Sequence, residues 1–230
     1  MRAHCLMHVP FEGPGKIAEW LEEHGYELTF TKFYKNDDVP EVSEIDFLVI
    51  MGGPMSVNDE RDYPWLISEK AFISRVMATH IPVIGICLGA QLLAAAAGSR
   101  VFANEYKEIG WFPVEGLETD VSGVFSFPES FTTFHWHGET FDLPDGAVPL
   151  ADSAGCPLQA FQIGRRVMGL QFHPEMTHDS LASIVEHCRD ELVGGRYIQN
   201  EEAVLHPVPG VQDANYRLLD KILAFLTSDG

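Results

Sequence analysis

Residues 83–98 read VIGICLGAQLLAAAAG. Residues 82–86 form an apolar run of the length and β-branched content of a buried strand. Residues 90–97, rich in alanine and leucine, read as a buried helix. At the junction, Gly85-Ile86-Cys87-Leu88-Gly89 places a thiol with a glycine two residues away on each side. The spacing fits the G-x-nucleophile-x-G elbow, a sharp strand-to-helix turn that lifts its central side chain out at the carboxyl edge of a sheet. Such a turn strains the central residue, and side chains two positions away would strike the neighbouring strand or helix, hence the glycines. The free N–H groups and partial positive charge of the helix start favour a thiolate. Taken alone, the pentapeptide serves equally well as a buried core cysteine with glycines for packing.

Working outward from this junction, the first half of the chain alternates strand-like and helix-like stretches. Residues 3–9 are a short apolar run. Residues 16–23 carry helical apolar spacing at Ile17, Trp20 and Leu21, with Gly25 placed as a C-terminal cap. Residues 26–33 are aromatic and β-branched, residues 47–51 are wholly apolar and end in Gly52-Gly53-Pro54, and residues 66–79 are amphipathic. Strands alternating with helices predict a mostly parallel central sheet flanked by helices on both faces. Beyond residue 100 the pattern changes: residues 101–114, 124–134, 149–151, 159–163 and 167–172 read as strands joined by turns, which predicts an antiparallel extension of the same sheet. Residues 177–192 return to helix, 193–210 are irregular, and 213–226 form a terminal helix. Nothing marks a linker, so a single domain over residues 1–230 is expected.

Composition excludes several classes. Hydrophobic residues make up 46% and charged residues 21%, a globular balance. The net charge of −19, with only 15 Lys and Arg and no basic cluster, argues against a nucleic-acid surface. Cys5, Cys87, Cys156 and Cys188 lie far apart with no C-x-x-C pair, so neither a disulfide framework nor a cysteine-rich zinc site is implied. There is no signal-peptide pattern at the N-terminus and no apolar run approaching the roughly 20 residues of a membrane span. The chain therefore reads as soluble and cytoplasmic.

Three further stretches bear on Cys87. Gln171-Phe172-His173-Pro174-Glu175 closes an apolar strand and offers what thiol acyl transfer needs: His173 as a base, and Glu175, at i+2 on the same side, to orient it. A turn with a solvent-facing His and Glu would look the same. Met51-Gly52-Gly53-Pro54 lets backbone N–H groups approach a substrate. The N–H groups of Gly53 and Leu88 could together form an oxyanion hole, although Gly-Gly-Pro is also an ordinary strand exit. Phe134-His135-Trp136-His137-Gly138-Glu139 has histidines at i and i+2, but no H-E-x-x-H or C-x-x-C partner supplies further ligands. No metal or cofactor is expected, and the stretch reads as a turn lending backbone groups and an aromatic wall to a pocket.

In order and spacing, Gly53-Pro54, Gly85-Ile86-Cys87-Leu88-Gly89-Ala90-Gln91 and Gln171-Phe172-His173-Pro174-Glu175 together resemble the three signatures of class I (triad) glutamine amidotransferase domains. Lys107-Glu108-Ile109-Gly110-Trp111 and His135–Leu143 resemble the free-standing, GMP-synthase-like subgroup. The resemblance implies a flavodoxin-like fold and a Cys87-His173-Glu175 triad. Cys87 would attack the side-chain amide of glutamine, release ammonia and leave a γ-glutamyl thioester for hydrolysis, with Gly53 and Leu88 holding the oxyanion. It further implies that Gln91 contacts the substrate, and that the Trp136, Gly138 and Glu139 segment grips its α-amino and α-carboxylate ends. A synthase subunit receiving the ammonia is the implied partner. The chain carries no P-loop sequence and no apparent room for an ATP-pyrophosphatase domain, so GMP synthesis by this chain alone is not expected.

The same chemistry serves a γ-glutamyl peptidase acting on other γ-glutamyl amides. A thiol α/β-hydrolase orders its triad nucleophile, acid, histidine, whereas here the acid follows the histidine, and DJ-1-like families would not need His173-Pro174-Glu175. A catalytically silent binding or regulatory domain would be expected to lack one of the three residues.

Overall fold

A computed structural model of the chain describes residues 1–228. Ten strands, β1 (Arg2–Met7), β2 (Glu27–Lys32), β3 (Phe47–Ile50), β4 (Val83–Ile86), β5 (Val101–Gly116), β6 (Ser130–Phe141), β7 (Ala147–Asp152), β8 (Ala160–Ile163), β9 (Val167–Leu170) and β10 (Tyr197–Ile198), form one sheet. The helices are α1 (Lys16–Glu23), α2 (Trp65–Met77), α3 (Leu88–Ala96), α4 (His178–Cys188), α5 (Glu201–Leu205) and α6 (Val211–Thr227). The order β2-β1-β3-β4-β9 is parallel throughout. From β9 the sheet continues antiparallel through β8, β7 and β5, with β6 also pairing β5 and β10 lying parallel to β5 at the edge. The parallel core with an antiparallel extension is the architecture the sequence pattern predicts.

Period-two alternation explains how continuous apolar runs cover two faces. On β3, Phe47 and Val49 join Ile17, Leu21, Leu219 and Leu223 beneath α1 and α6, while Leu48 and Ile50 join Leu66, Phe72 and Leu92 beneath α2 and α3. A third core lies under β5 and β6, where Ile109, Trp111, Phe134 and Trp136 pack on Leu181, Ile184 and Val185 of α4 and Val204 of α5. Each such side chain taken from water contributes about 1.5–3 kcal/mol.

Three expectations are corrected. The Trp136–Glu139 stretch is not a turn but the middle of β6, pairing Ile109↔Trp136 and Glu108↔His137. Gly138 mimics a turn residue because it faces a bulge between Ala103 and Glu108 of β5, where the Lys107 side chain covers it. The strand expected over residues 124–134 starts only at Ser130. Phe125 and Phe127 instead pack edge-on against each other, and they bury against Phe225 and Phe172 respectively. Pro128 cannot donate to a ladder at that point. The stretch 193–210 is not irregular throughout, since it carries β10 and α5, the latter capped by Asn200 accepting from the Ala203 N–H.

Candidate active site

Three neighbouring strands, β3, β4 and β9, point their carboxyl ends at one place, so the loops that follow them converge although they lie up to 120 residues apart in sequence. At the centre Cys87 has φ 53° and ψ −106°, one of two non-glycine residues with positive φ among those described. The flanking glycines make this possible by close approach. A Cβ on Gly85 would lie 2.5 Å from the Gly89 carbonyl oxygen, and one on Gly89 would fall inside the Ile50 carbonyl. The elbow reading of the sequence holds, and α3 starts at Leu88, directly behind the sulfur.

The residues picked out by sequence come together around that sulfur. His173 is fixed by its N–H donating to the Phe134 carbonyl (2.8 Å), and its Nδ1 meets Glu175 Oε1 at 2.8 Å, with both side chains buried. Burial pulls the imidazole down, but the Glu175 carboxylate and the Cys87 thiol outweigh it, holding His173 well above its usual value. The other ring nitrogen, Nε2, has no well-formed hydrogen bond, and Cys87 is the group that acts on it. The thiol itself donates to the Trp136 carbonyl (3.5 Å) and accepts from Gln171 Nε2 (3.6 Å). The backbone N–H groups of Gly53 and Leu88 donate to no group among the described residues. Leu88 is the first residue of α3, so its N–H has no partner within the helix.

Gln91 is buried and donates to the Gln171 side-chain oxygen (3.1 Å) and the Glu139 carbonyl (3.3 Å), tying α3 to β6 and to the β9 exit. Glu139 also accepts from the Ser56 hydroxyl, and the Trp136 indole donates to Glu191. Cys87, Gln91, Trp136, Glu139, Ser56 and Glu191 line a cavity of about 380 Å³. That volume lies at the small end of the range for ligand sites, roughly 300–1,000 Å³.

Two features escaped the sequence. Glu12, in the loop after β1, lines the same cavity with its carboxylate against Gly52, next to His173. The only signal was a Gly- and Pro-rich loop leaving another parallel strand at the same sheet edge. Burial raises its pKa to about 7; His173 and His8 oppose the shift and Glu175 adds to it. Native Glu12 therefore keeps its proton between its ordinary value of 4.5 and about 7, where the unfolded chain has released it. Its contribution is full below the lower value and is lost as pH rises through the upper one. Glu12→Gln should match the native protein in thermal melting near pH 4.5 and melt roughly 7–14 °C higher at about pH 8. Lower melting of the variant at the alkaline end would contradict this.

The second feature is Glu108. The expectation that His135 and His137 lack a third ligand is corrected: strand pairing brings the Glu108 carboxylate to them, with all three ligand atoms within 4.8 Å of one another. The carboxylate is already engaged by Ser153 (2.8 Å), Gln159 (2.7 Å) and His137 (3.1 Å). Burial holds His135 neutral, near pKa 3. Ser153 and Gln159 thus hold the carboxylate under β6, while both ring nitrogens of His135 and Nε2 of His137 stay buried without a well-formed hydrogen bond.

The chain belongs to the class-I glutamine amidotransferase family, whose model matches residues 15–188 and so spans the elbow and all three converging loops. It is 35% identical over 209 residues to the glutamine amidotransferase-like protein YfeJ of Salmonella typhimurium, covering 87% of each. It is 32% identical to the glutamine-hydrolyzing GMP synthase subunit of Thermoplasma acidophilum, covering 70% of this chain and 78% of that one. Among solved structures, a glutamine amidotransferase from Thermotoga maritima superposes with a TM-score of 0.89 at 29% identity, covering 99% of both chains. The match to the GMP synthase of Thermomicrobium roseum, 38% identical, spans 25% of that protein's length. No helix among the described residues is long and apolar enough to cross a membrane.

Proposed function

We propose that the protein hydrolyses the side-chain amide of glutamine through a γ-glutamyl thioester on Cys87. The supporting observation is Cys87 in its strained elbow at the start of α3, on the same cavity as Gly53, with the N–H groups of Gly53 and Leu88 undonated and the His173–Glu175 pair buried. In the first half-reaction the sulfur attacks the amide carbon, and charge developing on the carbonyl oxygen is taken by the two N–H groups. His173 Nε2 carries the thiol proton and gives it to the leaving nitrogen, so ammonia departs as the C–N bond breaks. In the second, His173 takes a proton from water, the hydroxide attacks the thioester, and glutamate leaves as the thiol is restored. Glu175 holds the imidazole in the productive tautomer. Gln91, Trp136, Gly138 and Glu139 shape the substrate end of the cavity. Similarity to the Thermoplasma GMP synthase subunit supports a synthase partner as the ammonia acceptor.

The test is mass spectrometry of the intact protein and of its proteolytic peptides after mixing with glutamine and a panel of other γ-glutamyl amides. A γ-glutamyl adduct confined to the peptide containing Cys87, formed fastest with glutamine, is the expected result. Faster adduct formation with a γ-glutamyl peptide would reassign the protein to γ-glutamyl peptide hydrolysis, and no adduct with any donor would overturn the thioester mechanism.

A further inference from the structure

Away from the sulfur, one fully buried acid–histidine pair has no part in the chemistry above. His8, just past β1, meets Glu69 of α2 through Nε2 at 2.8 Å, with both side chains at 0% exposure. The ring packs on the stacked faces of Phe33 and Trp65. Glu69 leaves its second oxygen buried without a partner. An arrangement this costly to desolvate is poor evidence of a stability role.

The other nitrogen of His8 explains its place. Nδ1 lies 2.9 Å from the Gly52 carbonyl oxygen, and because a carbonyl can only accept, Nδ1 must carry a proton and donate. The Gly52 carbonyl and the Gly53 N–H belong to one trans peptide plane and point in opposite directions. Holding the carbonyl toward His8 therefore turns the Gly53 N–H the other way. The room for Gly53 is equally tight: a Cβ there would lie 3.0 Å from both His8 Cβ and Leu88 Cδ2. Two consecutive glycines would otherwise let this peptide rotate freely.

We propose that the buried His8–Glu69 pair is a positioning device that locks the Gly52–Gly53 peptide with its N–H aimed into the oxyanion hole. Glu69 fixes the imidazole, the imidazole fixes the Gly52 carbonyl, and the carbonyl fixes the Gly53 donor. The inference rests on the thioester reading for the role of Gly53, while the peptide geometry can be tested without it.

Two double variants separate the donor from the packing. His8→Phe/Glu69→Leu removes the donor and both polar groups together. His8→Asn/Glu69→Gln leaves an amide N–H near the place of Nδ1. Single-turnover acylation of Cys87 by glutamine is compared with alkylation by iodoacetamide, which needs the thiolate but develops no oxyanion. The Phe/Leu protein should acylate roughly 10²–10³-fold more slowly, the cost of one oxyanion-hole donor, with KM and alkylation little changed. The Asn/Gln protein should recover most of the acylation rate. Native-rate acylation in the Phe/Leu protein, a parallel fall in alkylation, or no advantage of Asn over Phe would each overturn the proposal. A crystal structure of the Phe/Leu protein gives a readout that needs no substrate: the Gly52–Gly53 peptide should be rotated. An unmoved peptide sinks the proposal. A rotated peptide in a protein whose native form accepts no γ-glutamyl donor would uphold the positioning role and reject the thioester reading instead.

Discussion

Replacing Cys87 by alanine is expected to lower kcat for γ-glutamyl hydrolysis by about 10⁶-fold, to the level left by substrate binding alone. On the proposed mechanism the effect is this large because without the sulfur no thioester forms for His173 and water to act on. Glu175 would act through His173, whose Nδ1 it holds. Adding His173→Ala to Cys87→Ala should therefore cost almost nothing more, as expected for residues that act as a unit. The fold should survive, since alanine takes the same backbone position and the lost sulfur makes only weak contacts with Trp136 and Gln171. Steady-state kinetics with thermal melting checks both halves. A kcat within about tenfold of the native protein, at unchanged melting, would remove Cys87 from the mechanism.

The second large effect is on the fold. Gly89→Ala should destabilise the protein by about 3 kcal/mol or more and strip it of activity as well. The new methyl would sit inside the carbonyl of Ile50, at the end of β3, and would also meet the Ile50 side chain at 3.1 Å. Backbone lies on both sides, so no flexible side chain can swing away. Helix α3 would have to lift from the sheet and carry Cys87 and Leu88 with it. Denaturant unfolding would show a lower midpoint, and iodoacetamide labelling would show a displaced thiol. A variant with native stability would mean that the approach of α3 to β3 is looser than the structure has it.

The sequence was most readable where local and long-range requirements agree. The buried runs of β3 and β4, the alanine-rich α3 and the paired glycines each have one low-cost solution. The histidine and acid two residues apart at the end of β9 face the same side and need no distant partner to be paired. What stayed hidden depends on partners far along the chain. His135-Trp136-His137-Gly138-Glu139 reads as a turn until β5 is laid beside it, because the bulge that accommodates Gly138 belongs to the other strand. Glu108 joins His135 and His137 through that same pairing. Glu12 and His8 enter the site only because β1 lies next to β3 in the sheet, an order that hydrophobic periodicity does not encode. Glu69 is invisible for a simpler reason: a carboxylate in an amphipathic helix is normally solvated, and this one is buried.

The late arrival of β9 sets the order of events when the chain is made. Its partner on one side is β4, completed some 80 residues earlier, so during synthesis β4 presents an open edge and the elbow carries a thiol with no imidazole near it. The strand that seals this edge is the one that delivers His173 and Glu175. On the proposed mechanism, closing the sheet and arming Cys87 are therefore the same step, and a nascent or truncated chain lacking β9 is expected to hold an inert cysteine.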